Sequence, residues 1–408
     1  MKKSKFNIVV PYHDKFIHYN MITKSIILSS TYSMDYRNSA YYDNGFFVDD
    51  SKDEIKESEV QLLNEQNSNN HLLLTLIPTL KCNLDCTYCY QHDLHNTTEA
   101  LDNRVLSGIL SQIDTDSDLS SVHIEWNGGE PLLETKIIRD YSLALMKLCN
   151  NRGIAYSSSI STNLYALNEN ILADLVSSNI TSINTTLAGT SNVHDKYRLV
   201  RGGKEGSFNT VWKNIIKASQ RIPVSVCVNV TAYGENDIYN LIDQLANIAN
   251  DNLSLSFLLV ENYGFGENSI FLEKETHFPI MLRLLEYALN KGIKAEINSN
   301  FGNKYVFCAA QLKNSFIIHP SGRIYKCAND YSVENSIGYV SDNGFLFTRT
   351  VTSNNPYKDK KCSSCKILPY CNGGCQFARE SGKDYCPHEK NYLHELLRLY
   401  VSSMFGIA

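Results

Sequence analysis

The stretch TLKCNLDCTYCYQ, residues 79–91, places three cysteines within eight residues. They are Cys82, Cys86 and Cys89, and the next cysteine along the chain is Cys149. A structural zinc site is closed by four ligands, and an ordinary [4Fe–4S] cluster also takes four thiolates. Three cysteines at CxxxCxxC spacing can hold three irons of such a cluster and leave the fourth iron open to another ligand. The alternative is a zinc site completed by a histidine that follows, either His92 or His95.

The composition is that of a large globular protein. The 408 residues are 43% hydrophobic and 20% charged, with a formal net charge of −5, and this length predicts about two or three domains. The acidic balance and the lack of a basic block argue against nucleic acid as a partner. The N-terminal residues lack the apolar core of a signal peptide, and no apolar run approaches the roughly 18 residues of a membrane span. We therefore expect a cytoplasmic protein that does not bind membranes.

Twelve cysteines in a chain of this kind indicate metal or redox chemistry rather than a disulfide scaffold. Besides the first three, seven lie between residues 308 and 386. Cys149 and Cys227 stand apart, and the apolar helix and strand patterns around them predict small buried residues.

The rhythm of strand and helix patterns divides the chain into three parts. Residues 1–70 contain short strand-like runs and a polar helix, which predicts a small α+β segment. Over residues 71–300 six strand patterns alternate with helices, which predicts a parallel α/β sheet with right-handed crossovers. Six strands are too few for an eight-stranded barrel, so the predicted fold is a partial (β/α)6 TIM-like barrel. Over residues 301–408 the alternation stops, and a cysteine-rich domain that needs a metal to hold it is predicted.

Three stretches in this order, each following a barrel strand, resemble the radical SAM family. CNLDCTYCY resembles its cysteine signature, with Tyr88 before the last cysteine. EWNGGEPLL resembles the segment that binds the methionyl amine of S-adenosylmethionine (SAM). SISTNLY resembles the segment that hydrogen-bonds the ribose and the carboxylate. The resemblance implies SAM contacts from the last two segments at Gly128, Gly129, Glu130, Pro131, Ser161 and Asn163. It also implies that Tyr88 packs against the adenine, and packing in the core is the alternative role for this tyrosine.

A fourth stretch, TTLAGTSNVHDKYRLVRGG (residues 185–203), resembles a family segment in which Ser-Leu-Asp-Gly leads to His-Asp-x-x-Arg. His194, Asp195 and Arg198 match this pattern, whereas Ala188 stands where the aspartate would be. The resemblance implies that Arg198 binds the SAM carboxylate. A structural salt bridge is the alternative role for this arginine.

The C-terminal cysteines resemble the seven-cysteine SPASM domain of radical SAM enzymes, which holds two auxiliary [4Fe–4S] clusters. With the first cluster, the resemblance implies three [4Fe–4S] clusters. The implied ligands of the distal auxiliary cluster are Cys362, Cys365, Cys371 and Cys386. Those of the nearer one are Cys308, Cys327 and Cys375, and a substrate thiolate or another group such as Asn303 could complete it. A zinc ribbon is the alternative for the cysteines at 362–375.

The resemblance also implies an activity. A cluster-bound SAM supplies a 5′-deoxyadenosyl radical that abstracts a hydrogen atom, and a low-potential donor such as flavodoxin or ferredoxin supplies the electron. Radical SAM enzymes with SPASM domains mostly modify peptides. The N-terminal segment resembles the lead-in of maturases acting on ribosomally made precursors, whose leader adds a strand to a small sheet. The implied enzyme is an oxidoreductase that forms a thioether, carbon–carbon or carbon–oxygen cross-link in a precursor peptide with a leader sequence.

Two alternatives remain at this point. The first is a sulfatase-maturing enzyme that makes formylglycine, in which an aspartate serving as base follows the equivalent of Cys327. Here Ala328 stands in that place and Asp330 is displaced, which argues against this alternative and leaves Asp330 as the candidate base. The second is a non-catalytic iron–sulfur protein that moves electrons, for which the GGEP and STN segments would have no role.

Overall fold

The computed structural model divides the chain into two compact units. The described residues are 1–35, 37–203, 205–232, 234–260, 271–297, 301, 306–328, 331–351, 353–383 and 385–405. The larger unit contains Asn69–Glu296 and Asn314–Val351, and the smaller unit contains Met1–Ser68, Ile297–Lys313 and Thr352–Ala408. Among the described residues, no helix has the length and apolar character to cross a bilayer.

The secondary structure follows the predicted alternation. The strands are β1 (Lys2–Lys3), β2 (Asn7–Tyr12), β3 (Lys15–Asn20), β4 (Ile26–Ser29), β5 (Phe47–Val48), β6 (His71–Leu76), β7 (Leu84–Cys86), β8 (Ser121–Trp126), β9 (Ala155–Ser161), β10 (Ile180–Leu187), β11 (Arg198–Val200), β12 (Val224–Val230), β13 (Leu253–Leu259), β14 (Lys294–Ala295), β15 (Ser315–Ile318), β16 (Arg323–Tyr325), β17 (Gly338–Ser341) and β18 (Gly344–Phe347). The α-helices are α1 (Ser39–Asp43), α2 (Glu54–Asn67), α3 (Asn103–Thr115), α4 (Thr135–Arg152), α5 (Glu169–Ser177), α6 (Ser191–Tyr197), α7 (Phe208–Ser219), α8 (Glu235–Ala246), α9 (Lys274–Asn290), α10 (Lys360–Ser363), α11 (Leu368–Cys371), α12 (Gln376–Glu380) and α13 (Leu393–Phe405).

The larger unit is built around one sheet. Its strand order among the described residues is β14-β13-β12-β10-β9-β8-β6-β15-β16-β17-β18. The run from β14 to β6 is parallel throughout. The six predicted barrel strands are β6, β8, β9, β10, β12 and β13, and helices connect them in the α/β order, so the predicted fold class is confirmed.

Side-chain alternation along β12 shows why these residues form a two-faced strand. One face packs into the core with Val224, Val226, Val228 and Val230. The other face carries the half-buried Ser225, Cys227 and Asn229. Strand β8 repeats the pattern, with Ser121, His123 and Glu125 on its half-buried face. Cys149 is fully buried, as predicted. Cys227, predicted to be a buried apolar residue, is half-buried on the polar face.

The single C-terminal domain predicted over residues 301–408 is divided instead. Strand β15 pairs in parallel with β6, Ile317 lying opposite Thr75, and β16 to β18 continue the sheet as antiparallel strands. The backbone groups at the edge of β6 find partners in this way, which places Asn314–Val351 in the larger unit.

The smaller unit contains a three-stranded antiparallel sheet of order β2-β3-β4. Strands β2 and β3 form a hairpin in which Tyr12 pairs with Lys15, and His13 takes the positive φ of 52° that such a tight turn requires. Helix α2 begins at Asp53, whose side chain accepts hydrogen bonds from two backbone N–H groups of its first turn. The short helices α10 and α11, which lie in the same unit, contain Cys362 and Cys371.

Candidate active site

The three-cysteine loop leaves the end of β6 and is held by a short strand pair. Strand β7 pairs antiparallel with β11, and this register sets Arg198 opposite Cys86. A tight turn follows, in which the Cys89 backbone N–H donates to the Cys86 carbonyl at 3.1 Å. The pairing fixes a cation beside the cysteines. A sequence pattern could not predict it, because each of these strands has only three residues.

The three thiols lie close enough to affect one another. Burial raises the pKa of Cys82 to about 12, and the charges of Cys86 and Cys89 add to this. Burial likewise raises the pKa of Cys89 to about 11. Within the described residues, no three Cys, His, Asp or Glu side chains are already gathered closely enough to hold one ion. The fit of a cluster therefore depends on the donor set: three neighbouring thiols that give up protons when a metal binds.

His95 contacts the last of these cysteines. Its Nδ1 lies 2.8 Å from the Leu80 carbonyl oxygen, and its Nε2 lies 3.5 Å from the Cys89 Sγ. The carbonyl can only accept, so the ring proton is on Nδ1 and Nε2 is an acceptor facing the sulfur. His92 instead pairs with Asp85 at 3.3 Å. Of the two histidines, His95 is therefore the candidate fourth ligand of a zinc site. Its Nε2 can equally act as a hydrogen-bond partner of the Cys89 sulfur without binding a metal.

Glu130 ties two of the motif loops together. The side chain is fully buried. Its Oε1 accepts from the Thr162 hydroxyl at 2.6 Å and the Leu132 N–H at 2.9 Å, and its Oε2 accepts from the Asn163 N–H at 2.7 Å. Burial raises the pKa of Glu130, and these hydrogen bonds oppose that shift. The predicted contact of Glu130 with the SAM amine stays a prediction, and both of its oxygens are already engaged by protein groups.

The two glycines of the same segment pack against the cysteine loop. Gly128 has a positive φ of 135°, and Gly129 donates its N–H to the Thr79 carbonyl at 3.1 Å. A Cβ on Gly129 would lie 2.3 Å from the carbonyl oxygens of both Leu80 and Lys81. The close approach that the glycines permit is therefore to the backbone of the first loop.

Asn163 joins the third motif loop to the first. Its Nδ2 donates to the Asn83 side chain at 2.7 Å, and its Oδ1 accepts from the Tyr165 N–H at 2.9 Å. Ser161 is half-buried at the end of β9, and Pro131 is buried after Glu130. The structure thus brings the predicted SAM segments together at one edge of the sheet, as expected for loops at the carboxyl ends of parallel strands.

Arg198 is a buried cation with an unused donor. Its Nη1 donates to the Tyr88 hydroxyl at 3.3 Å, while its Nε is buried and has no hydrogen-bond partner among the described residues. Burial lowers the pKa of Arg198, but the charges of Cys86 and Tyr88 outweigh this and raise it. An arginine edge with an open N–H fits a carboxylate, so these residues fit SAM as the predicted ligand.

One carboxylate near this site was not predicted. Ala188 is buried at the position of the expected aspartate. Thr190 follows two residues after Ala188. Asp237 of α8 accepts a hydrogen bond from the Thr190 N–H at 2.7 Å and another from the Thr190 hydroxyl at 2.6 Å. The two residues are 47 positions apart, and no local pattern signals the contact.

A polar cluster in the larger unit was also missed. The charges of Cys327 and Glu125 raise the pKa of both Tyr90 and Tyr331 further, beyond the effect of burial. Glu125 accepts from the Thr75 hydroxyl at 3.3 Å. The alternation of polar and apolar residues on β8, which includes Glu125, was visible in the sequence. Tyr90 and Tyr331 lie outside the barrel strands, so no strand pattern indicates them. Asp330, the candidate base, lies outside the described residues.

The four cysteines assigned to the distal cluster are neighbours in the smaller unit. Burial raises the pKa of Cys371 to about 12, and the charges of Cys365, Cys362 and Cys386 add to it. Of the set assigned to the nearer cluster, Cys308 and Cys375 belong to the smaller unit and Cys327 to the larger. That ligand set stays a prediction.

Comparison with known proteins agrees with this geometry. Residues 76–245 match the family model of the radical SAM superfamily. The cysteine-type anaerobic sulfatase-maturating enzyme of Clostridium novyi (strain NT) is 26% identical over 342 residues, covering 73% of this chain and 86% of that protein. The serine-type enzyme of Klebsiella aerogenes is 21% identical over 313 residues, covering 72% and 76%.

Solved structures share the fold. The anSMEcpe structure with bound AdoMet and the Cp18Cys peptide has a TM-score of 0.64 at 16% identity, covering 82% of this chain and 98% of that chain. Streptococcus suis SuiB bound to the precursor peptide SuiA has a TM-score of 0.52 at 15% identity, covering 92% and 95%. The chain thus contains a radical SAM domain, at residues 76–245 of the larger unit.

Proposed function

We propose that this protein is a radical SAM peptide maturase that forms a side-chain cross-link in a ribosomally synthesised precursor peptide. The observation that carries the proposal is Arg198: a buried guanidinium set opposite Cys86, with an Nε that lacks a partner among the described residues. The peptide as substrate is supported by the two similar structures that hold bound peptides.

Each group of the site has a defined task in this proposal. Cys82, Cys86 and Cys89 hold three irons of a [4Fe–4S] cluster, which with SAM supplies a 5′-deoxyadenosyl radical. Arg198 binds and orients the SAM carboxylate, and Tyr88 holds the guanidinium through Nη1. Glu130 fixes the loops that surround the ligand. The half-buried Ser225, Cys227 and Asn229 on the polar face of β12 are proposed to hydrogen-bond the peptide.

The C-terminal cysteines are proposed to hold two further [4Fe–4S] clusters, giving three in all. Forming a cross-link removes two hydrogens from the peptide. One would leave as a hydrogen atom and the other as a proton and an electron, and an auxiliary cluster held by these cysteines would supply the electron acceptor that this balance needs. A low-potential ferredoxin or flavodoxin is the proposed electron donor. We place the reaction in the cytoplasm, because none of the twelve cysteines is disulfide-bonded.

The leader of the precursor is proposed to add a strand at β4. The edge of β2 is covered, because Arg398 of α13 donates to the Pro11 carbonyl at 2.9 Å and Tyr12 hydrogen-bonds Ser402 at 3.0 Å. Strand β4 pairs with β3 on one side, and no described strand pairs with its other side. Hydrogen exchange with and without precursor peptide tests this. Protection should rise in β4 and stay constant in β2; protection at neither edge would refute strand addition here.

Formylglycine formation is a second candidate, favoured by the similarity to the sulfatase-maturating enzymes. Both candidates are tested by incubating the reconstituted protein anaerobically with SAM, dithionite and either peptides encoded beside its gene or a cysteine-containing sulfatase peptide. A cross-link appears in mass spectra as loss of two hydrogens with sulfur retained and no reactive aldehyde. Formylglycine appears as an aldehyde that reacts with a hydrazide. If SAM is cleaved but neither peptide class changes, peptide modification is refuted.

A further inference from the structure

An arginine outside the SAM site makes direct contact with a cysteine assigned to the distal cluster. The Nη2 of Arg379, in α12, lies 3.1 Å from the Cys362 Sγ and 2.8 Å from the Gly373 carbonyl oxygen. Its Nη1 lies 2.6 Å from Oδ2 of Asp359. A single guanidinium therefore bridges a carboxylate, a backbone carbonyl and a cysteine sulfur.

The surroundings leave this guanidinium little freedom. Only 10% of the Arg379 side chain is exposed, and its central carbon lies 3.7 Å from the centre of the Tyr385 ring. Asp359 is itself fixed, because Oδ1 accepts from the N–H groups of Lys361 at 2.8 Å and Cys362 at 3.3 Å at the start of α10. Asp359 thus holds both the arginine and the backbone of the cysteine that the arginine contacts.

A second cation lies beside another cysteine of the same set. Lys24 is 9% exposed, and its Nζ donates to the Pro369 carbonyl at 3.0 Å. It interacts electrostatically with Cys371, two residues further along. Burying charges is costly unless they are paired and hydrogen-bonded. Two nearly buried cations beside four thiols are well placed when the thiols become thiolates that hold a metal.

We propose that Arg379 is a positioning residue that sets the reduction potential of the distal cluster, with Asp359 acting in the opposite sense. The inference rests on the proposed function, which assigns Cys362 as a ligand of that cluster. Reduction adds negative charge to an iron–sulfur cluster, and hydrogen bonds to its sulfurs together with nearby charge determine its potential. A cation donating to the Cys362 sulfur stabilises the reduced form, whereas a carboxylate nearby stabilises the oxidised form.

The rival explanation is that Arg379 only pairs with Asp359 to stabilise the local fold. The two roles predict different results for the two partners. Under a purely structural role, breaking the pair from either side weakens the fold and moves the potential in no particular direction. Under the proposed role, removing Arg379 lowers the potential and removing the charge of Asp359 raises it.

The test uses the full chain in a background that retains the distal cysteines but lacks the other two clusters. That background replaces with alanine Cys82, Cys86, Cys89, Cys308 and Cys327. Potentiometric titration followed by electron paramagnetic resonance then reports one cluster. Arg379→Gln should shift the potential to more negative values, and Arg379→Lys should shift it less because the charge is kept. Asp359→Asn, which retains an oxygen to cap α10, should shift it to more positive values.

A matched control removes a positive charge that is near the cluster in the sequence but whose side chain is exposed to solvent. Lys366 follows Cys365 directly but is exposed, so Lys366→Gln should leave the potential nearly unchanged. Lys24→Met should shift it in the same direction as Arg379→Gln. Suppose the distal cysteines hold a cluster of about four irons. If its potential is the same in all variants, or moves in one direction for both Arg379→Gln and Asp359→Asn, the result overturns this inference but not the cluster assignment. Absence of iron from the distal cysteines in the parent chain overturns the cluster assignment as well. If Arg379→Gln does not fold, the Arg379→Lys and Asp359→Asn pair decides.

Discussion

Replacing Arg198 by methionine tests the SAM site most directly, because it should separate ligand affinity from stability. Methionine keeps most of the buried apolar length and removes the charge. Truncating one partner of a buried, hydrogen-bonded charge pair costs about 2–5 kcal/mol of binding. At roughly 1.4 kcal/mol for each tenfold change, SAM should bind about 30-fold to several thousand-fold more weakly.

The effect on the ligand-free protein should be small. The wild-type protein buries the Arg198 Nε without a partner among the described residues, and such a group costs about 1–3 kcal/mol. The variant removes that cost and loses the 3.3 Å hydrogen bond to Tyr88, which contributes about 1 kcal/mol, together with the electrostatic attraction to Cys86. The free energy of unfolding without SAM should therefore stay the same within about 1 kcal/mol, or rise by up to about 2 kcal/mol.

Anaerobic equilibrium dialysis with labelled SAM measures the affinity, and iron content confirms that the clusters are intact. The control is Arg139→Met, which removes an equal charge from the exposed ion pair with Asp174 and should change affinity by less than about fivefold. SAM affinity within about threefold of wild type in Arg198→Met would show that the guanidinium does not bind the carboxylate. A large loss of stability without SAM would show instead that the structural salt-bridge alternative is correct.

Further predictions address the loops, the clusters and the pH response. Replacing the three cysteines of the first loop with alanine should abolish 5′-deoxyadenosine formation and lower iron from about twelve to about eight atoms per chain; continued formation contradicts their role. Gly129→Ala should displace the first loop and lose SAM binding, whereas Gly203→Ala, whose Cβ would meet nothing closer than 3.7 Å, should not. Burial lowers the pKa of His194 from 6.5 to about 2, so its contribution to stability is full above pH 6.5 and is lost as the pH falls. The free energy of unfolding measured in urea should fall by up to about 1.4 kcal/mol for each pH unit below pH 6.5. His194→Gln should reduce this dependence of stability on pH. A cysteine-containing substrate peptide should perturb the spectrum of the nearer cluster while its serine counterpart should not; equal responses would exclude a substrate thiolate there.

The barrel could be predicted because its signals are local. In β12 the alternation of valines with Ser225, Cys227 and Asn229 specifies a two-faced strand within seven residues. The convergence of the motif loops also followed from the sequence, because parallel strands connected by helices present their carboxyl ends at one edge. Neither inference needs knowledge of distant contacts.

What escaped prediction depends on partners far apart in the chain. Asp237 reaches Thr190 across 47 residues, and β15 joins β6 although more than 230 residues separate Ile317 from Thr75. The sequence could not show that Asn314–Val351 lies in the larger unit, since a strand pattern in a cysteine-rich region does not reveal which sheet it joins. The β7–β11 pair is short enough that its residues resemble loop in any pattern.

The geometry also separates the residues of a motif from the groups that can contact a ligand. Glu130 spends both oxygens on protein donors, Asn163 binds Asn83, and Gly129 packs on the first loop. These contacts hold the motif loops against one another. A carboxylate that approaches three thiolates meets unfavourable charge, and a cation is needed to offset it. We propose that Arg198 supplies that cation, because the pairing of β11 with β7 sets it opposite Cys86 and its Nε faces no described partner. We propose that the short strand pair allows the carboxylate of SAM to lie close to an anionic cluster.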